Sequence, residues 1–502
     1  MIQSFSFNSI SKELNSRKLF IISICSMLGV GIFLKSKTLI ELSHSNFWPI
    51  LVLFCISACL IISMCWAFTR LVDRNTNSSR GFIEWVEEYC GTRFKNWVVL
   101  FTTKLLHPIG VITTAVYLIK WINGQYFLWV WETCICAALI SFLVVSLNVF
   151  SFKGAVILQK CLSFSIFLAI LYTLGFGIHS YFSGNGGQQE QQAQTSHFGI
   201  NGLSGWTILL SGLPSIFFMY DGFYSILSLK EKTQKKTSFR KIVSLSFITI
   251  TLIYFFVISV TLLGDKKTGD FMKFKKLVED KNFKDVLITL IFLTFLSSLN
   301  VTCMCGQNQL IQLHYKYNFK EINLIRNRFL NAGNRKYSLE IKLSIWLHLM
   351  KQIIGISLII ATISQLIYWL LGQTELLWVI NDILAELNSL IIFGILGVVL
   401  WKSREGKKTN YLTSIGIFIA ILYFLVNNVI SLFLGNSSEQ GKQPSNLIVS
   451  LFKLLIFLVL VTYPVGQWLK SKSIEIFNFP DFENKRFNKL NQGYSLVKLV
   501  SK

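Results

Sequence analysis

Two acidic residues stand four positions apart in an apolar segment of the chain. Asp382 and Glu386 are one helical turn apart, so both would lie on one face of a helix. Repulsion between neighbouring carboxylates favours a proton on one of them, which makes the pair a candidate proton relay. The alternative is that both acids face a water-filled outer vestibule. The residue types therefore predict either ion coupling or a solvated helix face.

A third acid, Asp221, is followed by Gly222 within another apolar segment. Asp-Gly is a turn signal, and an ionisable residue at membrane depth is costly unless it has a function. A carboxylate at low dielectric needs a cation, which could be a proton, a basic substrate side chain or a substrate ammonium group. We favour a basic or amine-rich substrate over proton coupling through Asp221. An acid paired across a helix bundle is the structural alternative.

Two glycines, Gly29 and Gly31, interrupt the first apolar segment. Glycine weakens a helix and leaves the backbone open to a bound group, although close helix packing is the alternative explanation. The interruption at Asp221 lies five spans later, which is the pattern of transporters with inverted repeats and paired broken helices. Freed N–H groups of one break could hold a carboxylate, and freed carbonyls of the other an ammonium group or a cation. The predicted substrate-binding residues are Met27, Leu28, Gly29, Val30, Gly31, Ile32, Phe218, Met219, Tyr220, Asp221, Gly222 and Phe223.

The composition places all these residues in a membrane. Of the 502 residues, 52% are hydrophobic and only 15% are charged, against about 25% charged in soluble proteins. Apolar runs long enough to cross a bilayer lie at roughly 18–39, 47–69, 96–122, 126–149, 154–181, 205–229, 240–264, 285–312, 344–371, 376–401, 411–434 and 446–469. We predict an all-α polytopic membrane protein with twelve transmembrane helices. Its parts are a cytoplasmic N-terminus (1–17), a 5+5 inverted-repeat core with broken helices 1 and 6 (18–401), helices 11 and 12 (402–469) and a basic tail (470–502).

The net charge of +23 follows the predicted topology. Lysine and arginine concentrate in the N-terminus, in alternate loops and in the tail, so the positive-inside rule predicts that both termini are cytoplasmic, in a plasma membrane. The lysine-rich loop 266–284 is an exception, and we interpret it as a structured outer loop. The Gly- and Gln-rich segment 183–204 is predicted to be an external linker. The charge is therefore no sign of a nucleic-acid partner.

Several motifs resemble one family. Gly29-Val-Gly-Ile-Phe33 resembles the Gly-x-Gly-Ile-Phe signature in the first helix of the amino acid–polyamine–organocation (APC) superfamily. Phe217-Phe-Met-Tyr-Asp-Gly-Phe223 is similar to its sixth-helix motif, and 79–91 resembles its segment after helix two. Asn300 with Gly306 resembles its eighth-helix pattern. The likeness covers the ten-helix core.

The resemblance implies a secondary active transporter (permease) that moves amino acids or related amines by alternating access of helices 1, 2, 6 and 7 against the rest. It also implies a possible sodium site at Ser297 and Ser298 beside first-helix carbonyls, although serines in such helices often bond to their own backbone. Two positions depart from the family. Asn308 stands where an arginine is usual, and Ile166 stands where some members carry a lysine that takes the place of sodium. The coupling ion, sodium or proton, therefore stays open.

Other classes of function fit the sequence less well. The chain has no Gly-x-x-x-x-Gly-Lys-Ser/Thr run, so ATP is not the direct driver. The six histidines are scattered, and we expect no catalytic residue, no metal site and no cofactor. A non-transporting amino-acid sensor of the same fold is the main alternative, and a membrane-embedded enzyme is less favoured. The expected partners are a small amino acid or amine and the lipid bilayer, and the composition suggests an AT-rich bacterial genome.

Overall fold

The described part of the protein is helical. The computed structural model describes residues 14–42, 47–74, 82–123, 129–182, 212–226, 229, 233–234, 238–264, 281–317, 337–371, 376–403, 408–434, 451 and 453–462. The predicted external linker 183–204, most of the lysine-rich loop 266–284 and the basic tail 470–502 lie outside these residues. One isolated bridge pairs Leu14 with Thr233.

The helices follow one another in a simple order along the chain. They are α1 Ser16–Met27, α2 Val30–Leu42, α3 Phe47–Arg74, α4 Phe82–Cys90, α5 Thr92–Phe101, α6 His107–Asn123, α7 Val130–Phe150, α8 Phe152–Phe182, α9 Leu213–Met219, α10 Phe223–Ile226, α11 Phe239–Gly264, α12 Lys281–Tyr317, α13 Tyr337–Leu371, α14 Leu376–Lys402 and α15 Lys408–Leu434. A further apolar helix covers Lys453–Thr462.

Nine helical segments within the described ranges are long and apolar enough to cross a membrane. They confirm an all-helical, multi-pass protein, whereas the count of twelve spans and the 5+5 repeat stay predictions. The predicted sixth span is missing from the nine because its described part consists of the short helices α9 and α10. The last two predicted spans, 411–434 and 446–469, correspond to α15 and to the helix Lys453–Thr462.

Burial separates central helices from peripheral ones. In the most apolar part of the span Leu377–Lys402, 83% of the residues are buried, whereas the corresponding share in Phe152–Phe182 is 33%. On the peripheral helix α8, Phe164 and Phe167 are exposed, as expected for side chains that face lipid. The acids Asp382 and Glu386 therefore lie on one of the most enclosed helices of the described structure.

The first predicted break lies between α1 and α2. The helix α1 ends at Met27, and Leu28 and Gly29 are not helical. The next helix begins at Val30. The second predicted break has the same form, because α9 ends at Met219 and α10 begins at Phe223.

Glycine is required at the second break. Gly222 has φ +103°, in the left-handed region that side chains with a Cβ rarely adopt. The backbone N–H of Gly222 also donates to Oδ1 of Asp221 at 2.8 Å. The Asp-Gly pair thus forms the turn that its residue types predict.

The span containing α5 and α6 has one wide turn. Residues Thr102–Leu106 are π-helical, and the backbone N–H of His107 donates to the carbonyl of Thr102. Pro108 follows, and its ring nitrogen has no proton to donate to the preceding turn. Asn388 of α14 donates from Nδ2 to the carbonyl of Leu106 at 3.2 Å, so a side chain of a neighbouring helix contacts this turn.

Candidate functional site

One tyrosine joins the two breaks. The hydroxyl of Tyr254, on α11, lies 2.5 Å from the carbonyl oxygen of Met27 and 2.6 Å from that of Met219. These carbonyls end α1 and α9, where the next helical N–H is missing. A tyrosine within an apolar run gives no sequence signal of this role, and sequence reasoning missed it.

Glycines bring the two breaks into backbone contact. A Cβ on Gly31 would lie 2.7 Å from Cα of Met219, and a Cβ on Gly222 would lie 2.5 Å from the carbonyl oxygen of Ser26. The absence of side chains thus permits close packing, which was the alternative explanation for Gly31. Close packing leaves room for a second role, because both glycines also line a cavity.

The cavity between the breaks has a volume of about 80 Å³. Its polar and charged lining comes from five parts of the fold. The lining residues are Ser26, Met27, Gly29 and Gly31 from the first break, Phe218, Asp221 and Gly222 from the second, Leu106, His107, Gly110, Thr113 and Thr114 from the span containing α6, Ser298 and Thr302 from α12, and Ala385 and Asn388 from α14.

Eleven of the twelve predicted substrate-binding residues divide into two groups. Six of them line the cavity, namely Met27, Gly29, Gly31, Phe218, Asp221 and Gly222. Five others have side chains buried in the apolar core, namely Leu28, Ile32, Met219, Tyr220 and Phe223. Val30 is the first residue of α2. The prediction thus located the segments, while the helical geometry decides which side chains face the cavity.

Two oxygen acceptors of different kinds stand at this cavity. Oδ2 of Asp221 accepts a hydrogen bond from the hydroxyl of Ser389 at 2.7 Å. Asn388 is nine-tenths buried, and its Oδ1 has no hydrogen-bond partner among the described residues. A buried amide oxygen without a donor is costly, so the arrangement suits a ligand that brings N–H groups.

A buried lysine lies between the two acids of α14. Nζ of Lys35 is 2.9 Å from Oε1 of Glu386 and 3.3 Å from Oδ2 of Asp382. The side chain of Lys35 is 3% exposed, that of Glu386 12% and that of Asp382 40%. The ammonium group offsets the repulsion between the carboxylates, and Asp382 alone reaches the solvated side.

Further side chains complete this charged cluster. The Tyr117 hydroxyl, on α6, donates to Asp382. The Ser215 hydroxyl, on α9, donates to Oε1 of Glu386 at 2.9 Å. Nζ of Lys35 lies 5.8 Å from the ring centroid of Phe218, and this ring also lines the cavity. The Phe218 side chain therefore lies beside both the charged cluster and the cavity.

The two serines of α12 have different surroundings. Ser297 accepts from Nε2 of Gln159 at 2.6 Å, and Gln159 in turn accepts from Nδ2 of Asn300 at 2.9 Å. Asn148 donates to Oδ1 of Asn300 at 2.8 Å, so this network joins α7, α8 and α12. Ser298 instead lines the cavity beside Gly29, where a Cβ would meet its Oγ at 2.5 Å.

His107 closes another part of the cavity wall. Its Nε2 lies 2.6 Å from Oε1 of Gln309, so the ring donates from Nε2 to this amide oxygen. Gly306 of α12 permits the approach, because a Cβ there would lie 3.0 Å from Nδ1 of His107. Gly306, which matches the eighth-helix pattern of the family, thus allows α6 and α12 to pack closely.

A bundle of membrane-length helices, with two broken helices around a small polar cavity, defines a multi-pass membrane transporter. Residues 14–474 match the family model of amino acid permeases, and the chain belongs to that family. This match confirms the resemblance found in the motifs. A search of curated protein sequences found no match.

The chain was also compared with solved structures. The chain is similar to a crystal structure of a manganese transporter variant from Eremococcus coleocola, with 14% identity, a TM-score of 0.50 and coverage of 95% of this chain and 97% of that one. It is also similar to a substrate-bound, outward-open Na⁺-coupled sialic acid symporter, with 11% identity, a TM-score of 0.46 and coverage of 86% and 92%.

Proposed function

We propose that this protein is a secondary active permease that moves a small amino acid or amine across the plasma membrane by alternating access. The observation that carries the proposal is the cavity between the two breaks, with the Asp221 carboxylate and the Asn388 amide oxygen in its wall. Both groups accept hydrogen bonds, and an ammonium group supplies only donors. The favoured substrate is therefore an amine-bearing molecule.

The helix α2 supports binding of a carboxylate at the opposite end of the substrate. This helix of 13 residues begins at Val30, beside the cavity-lining Gly29 and Gly31. The first N–H groups of a helix have no intrahelical acceptor and carry a partial positive charge. Such a terminus suits a carboxylate, and together with Asp221 it suits the two charged ends of an amino acid.

The size of the cavity favours a small substrate. A cavity needs about 10–15 Å³ of volume for each water molecule that it holds. The cavity of about 80 Å³ therefore has room for about five to eight waters. Alanine or serine has a comparable number of non-hydrogen atoms. A longer basic amino acid would need side chains such as Phe218 to move.

Binding and uptake together test this proposal. A thermal-shift screen of purified protein with glycine, L-alanine, L-serine, L-lysine and putrescine should show stabilisation by at least one of them. Radiolabelled uptake into proteoliposomes should then show accumulation of the same compound. Binding without uptake would indicate a sensor of the same fold, and neither binding nor uptake would contradict the proposal.

Asp221→Asn tests two roles of this acid, substrate binding and proton coupling, each by its own effect. If Asp221 binds the ammonium group of the substrate, the variant should bind every substrate that carries an ammonium group more weakly. If Asp221 carries a coupling proton, the variant should keep exchange but lose uphill accumulation of every substrate. Glu340→Gln, which changes a carboxylate near the start of α13, is the matched control. No change in either affinity or accumulation would leave Asp221 with a structural role only.

The proposed orientation has a direct test. Single cysteines at Gln188 and Ser438 should react with impermeant reagents from outside the cell, and one at Lys235 should not. The background should lack the ten native cysteines. The reverse labelling pattern would show that the distribution of basic residues had been misinterpreted.

A further inference from the structure

A line of oxygen-bearing side chains runs along one face of α14. Asp382, Glu386 and Ser389 are spaced by four and three residues, which places them one above the other on a helix. The side chain of Asp382 is 40% exposed and that of Glu386 is 12% exposed, so burial increases from Asp382 toward Glu386. It ends where the Ser389 hydroxyl donates to Asp221 at the wall of the cavity. Three carboxylates and one hydroxyl thus lie between the exposed end of α14 and the cavity, and the step from Glu386 to Ser389 follows from their helical spacing.

The charged partner of this line belongs to a helix that follows a break in the chain. Lys35 lies on α2, directly after the first break, and Ser215 lies on α9, directly before the second. The helix α14, with 27 residues, is continuous. Chain breaks absorb the backbone rotations of hinge motions, whereas continuous helices move as rigid bodies. The contacts of Lys35 and Ser215 with Glu386 therefore join hinged segments to a rigid one.

Withdrawal of α2 would leave the two acids without their nearest cation. The cluster holds one ammonium group and two carboxylates, those of Lys35, Asp382 and Glu386. Two neighbouring carboxylates without a cation favour uptake of a proton, because an unpaired buried charge is costly. The other titratable groups that face them are Tyr117 from α6 and Lys453 from the helix Lys453–Thr462.

We propose that this face of α14 is the path of a coupling proton, and that Lys35 is its gate. The path runs through Asp382, Glu386, Ser389 and Asp221. The proposal rests on the permease function proposed above and deepens it. In the structure, Lys35 contacts the carboxylates of both Asp382 and Glu386. The structure therefore represents the state in which neither acid holds the coupling proton.

The proton balance closes over one transport cycle. When α2 swings outward, the Glu386 carboxylate takes a proton from outside while the substrate ammonium binds at Asp221. After α2 returns, Lys35 pairs with Asp382 alone. Once the substrate leaves on the inner side, Asp221 accepts the proton from Glu386 through the hydroxyl of Ser389 and releases it inward. Lys35 then pairs with both outer carboxylates again.

Proteoliposomes that contain the pH dye pyranine test this path with the full-length protein. Glycine, L-alanine, L-serine and putrescine are each added outside, and both internal acidification and radiolabel exchange are recorded. Wild type should acidify the lumen when a transported compound is added. Glu386→Gln should lose acidification and uphill accumulation but keep counterflow exchange. Ser389→Ala should lose acidification, and Ser389→Thr should restore it because threonine keeps the hydroxyl.

The controls separate this inference from the proposed function. Glu340 is not among the residues of the path, so proteoliposomes with Glu340→Gln should acidify like those with wild type. Absence of exchange by wild type with every compound would contradict the permease function itself. Exchange by wild type without acidification, accumulation driven by external sodium, or acidification retained by Glu386→Gln would each overturn the proton path while leaving the permease function intact.

Discussion

Replacement of Lys35 by methionine measures what the buried ammonium group contributes to stability. The variant keeps an unbranched side chain that is one atom shorter, and it removes the charge 2.9 Å from Glu386 and 3.3 Å from Asp382. Removing one partner of a buried ion pair costs about 3–5 kcal/mol, because the other charge stays buried. Asp382 is 40% exposed, so its pair with Lys35 adds only about 0–1 kcal/mol. We expect a loss of about 3 kcal/mol, which is the lower end of the range for buried pairs.

Tryptophan fluorescence during thermal unfolding in detergent checks this value, since the chain has 13 tryptophans. The double variant Lys35→Met/Glu386→Gln removes the unpaired carboxylate and should regain most of the lost stability. Glu386→Gln alone should cost less than Lys35→Met, because Lys35 keeps Asp382 as a partner. Equal stability of Lys35→Met and wild type, or no recovery in the double variant, would refute the reasoning from buried charge.

Three further variants probe the breaks by the same unfolding measurement. Tyr254→Phe keeps the ring and removes the hydroxyl from two backbone carbonyls, so it should cost about 1–3 kcal/mol; an unchanged midpoint would deny that the tyrosine joins the breaks. Gly29→Ala places a Cβ 2.5 Å from Oγ of Ser298 and should cost about 1–3 kcal/mol. Gly29→Ala/Ser298→Gly should cost less than the sum of the two single variants, and additive costs would rule out that contact as the cause. Gly222→Ala should cost more than Gly29→Ala, because its φ is +103° and the obstacle is the backbone oxygen of Ser26; a smaller cost would contradict both arguments.

Local signals account for the parts of the fold that the sequence predicted. A spanning helix needs about 20 apolar residues in a row, so each span can be recognised within its own segment. The breaks are local as well, because Gly29 and the Asp221-Gly222 pair disfavour a helix wherever they occur. These signals identified the segments that surround the cavity without any knowledge of how the helices pack.

Contacts between distant segments account for what the sequence could not predict. Lys35 stands near the end of an apolar run, where a lysine ordinarily extends toward water. Its pairing with Glu386 depends on how α2 packs against α14. The same holds for Tyr254, whose partners Met27 and Met219 lie on other helices. Side-chain partners across a bundle are set by tertiary geometry, and no local pattern encodes them.

The π-helical turn Thr102–Leu106 has a consequence for chain length. A π-turn holds one residue more than an α-turn does, so this segment is a one-residue insertion accommodated within a single turn. Deleting one residue there would let α5 continue into α6 as a regular helix with both flanks in their present register. His107 would keep its place in the cavity wall while the carbonyl that Asn388 contacts would shift. The span can therefore lose or gain this residue in evolution without rebuilding the cavity that it lines.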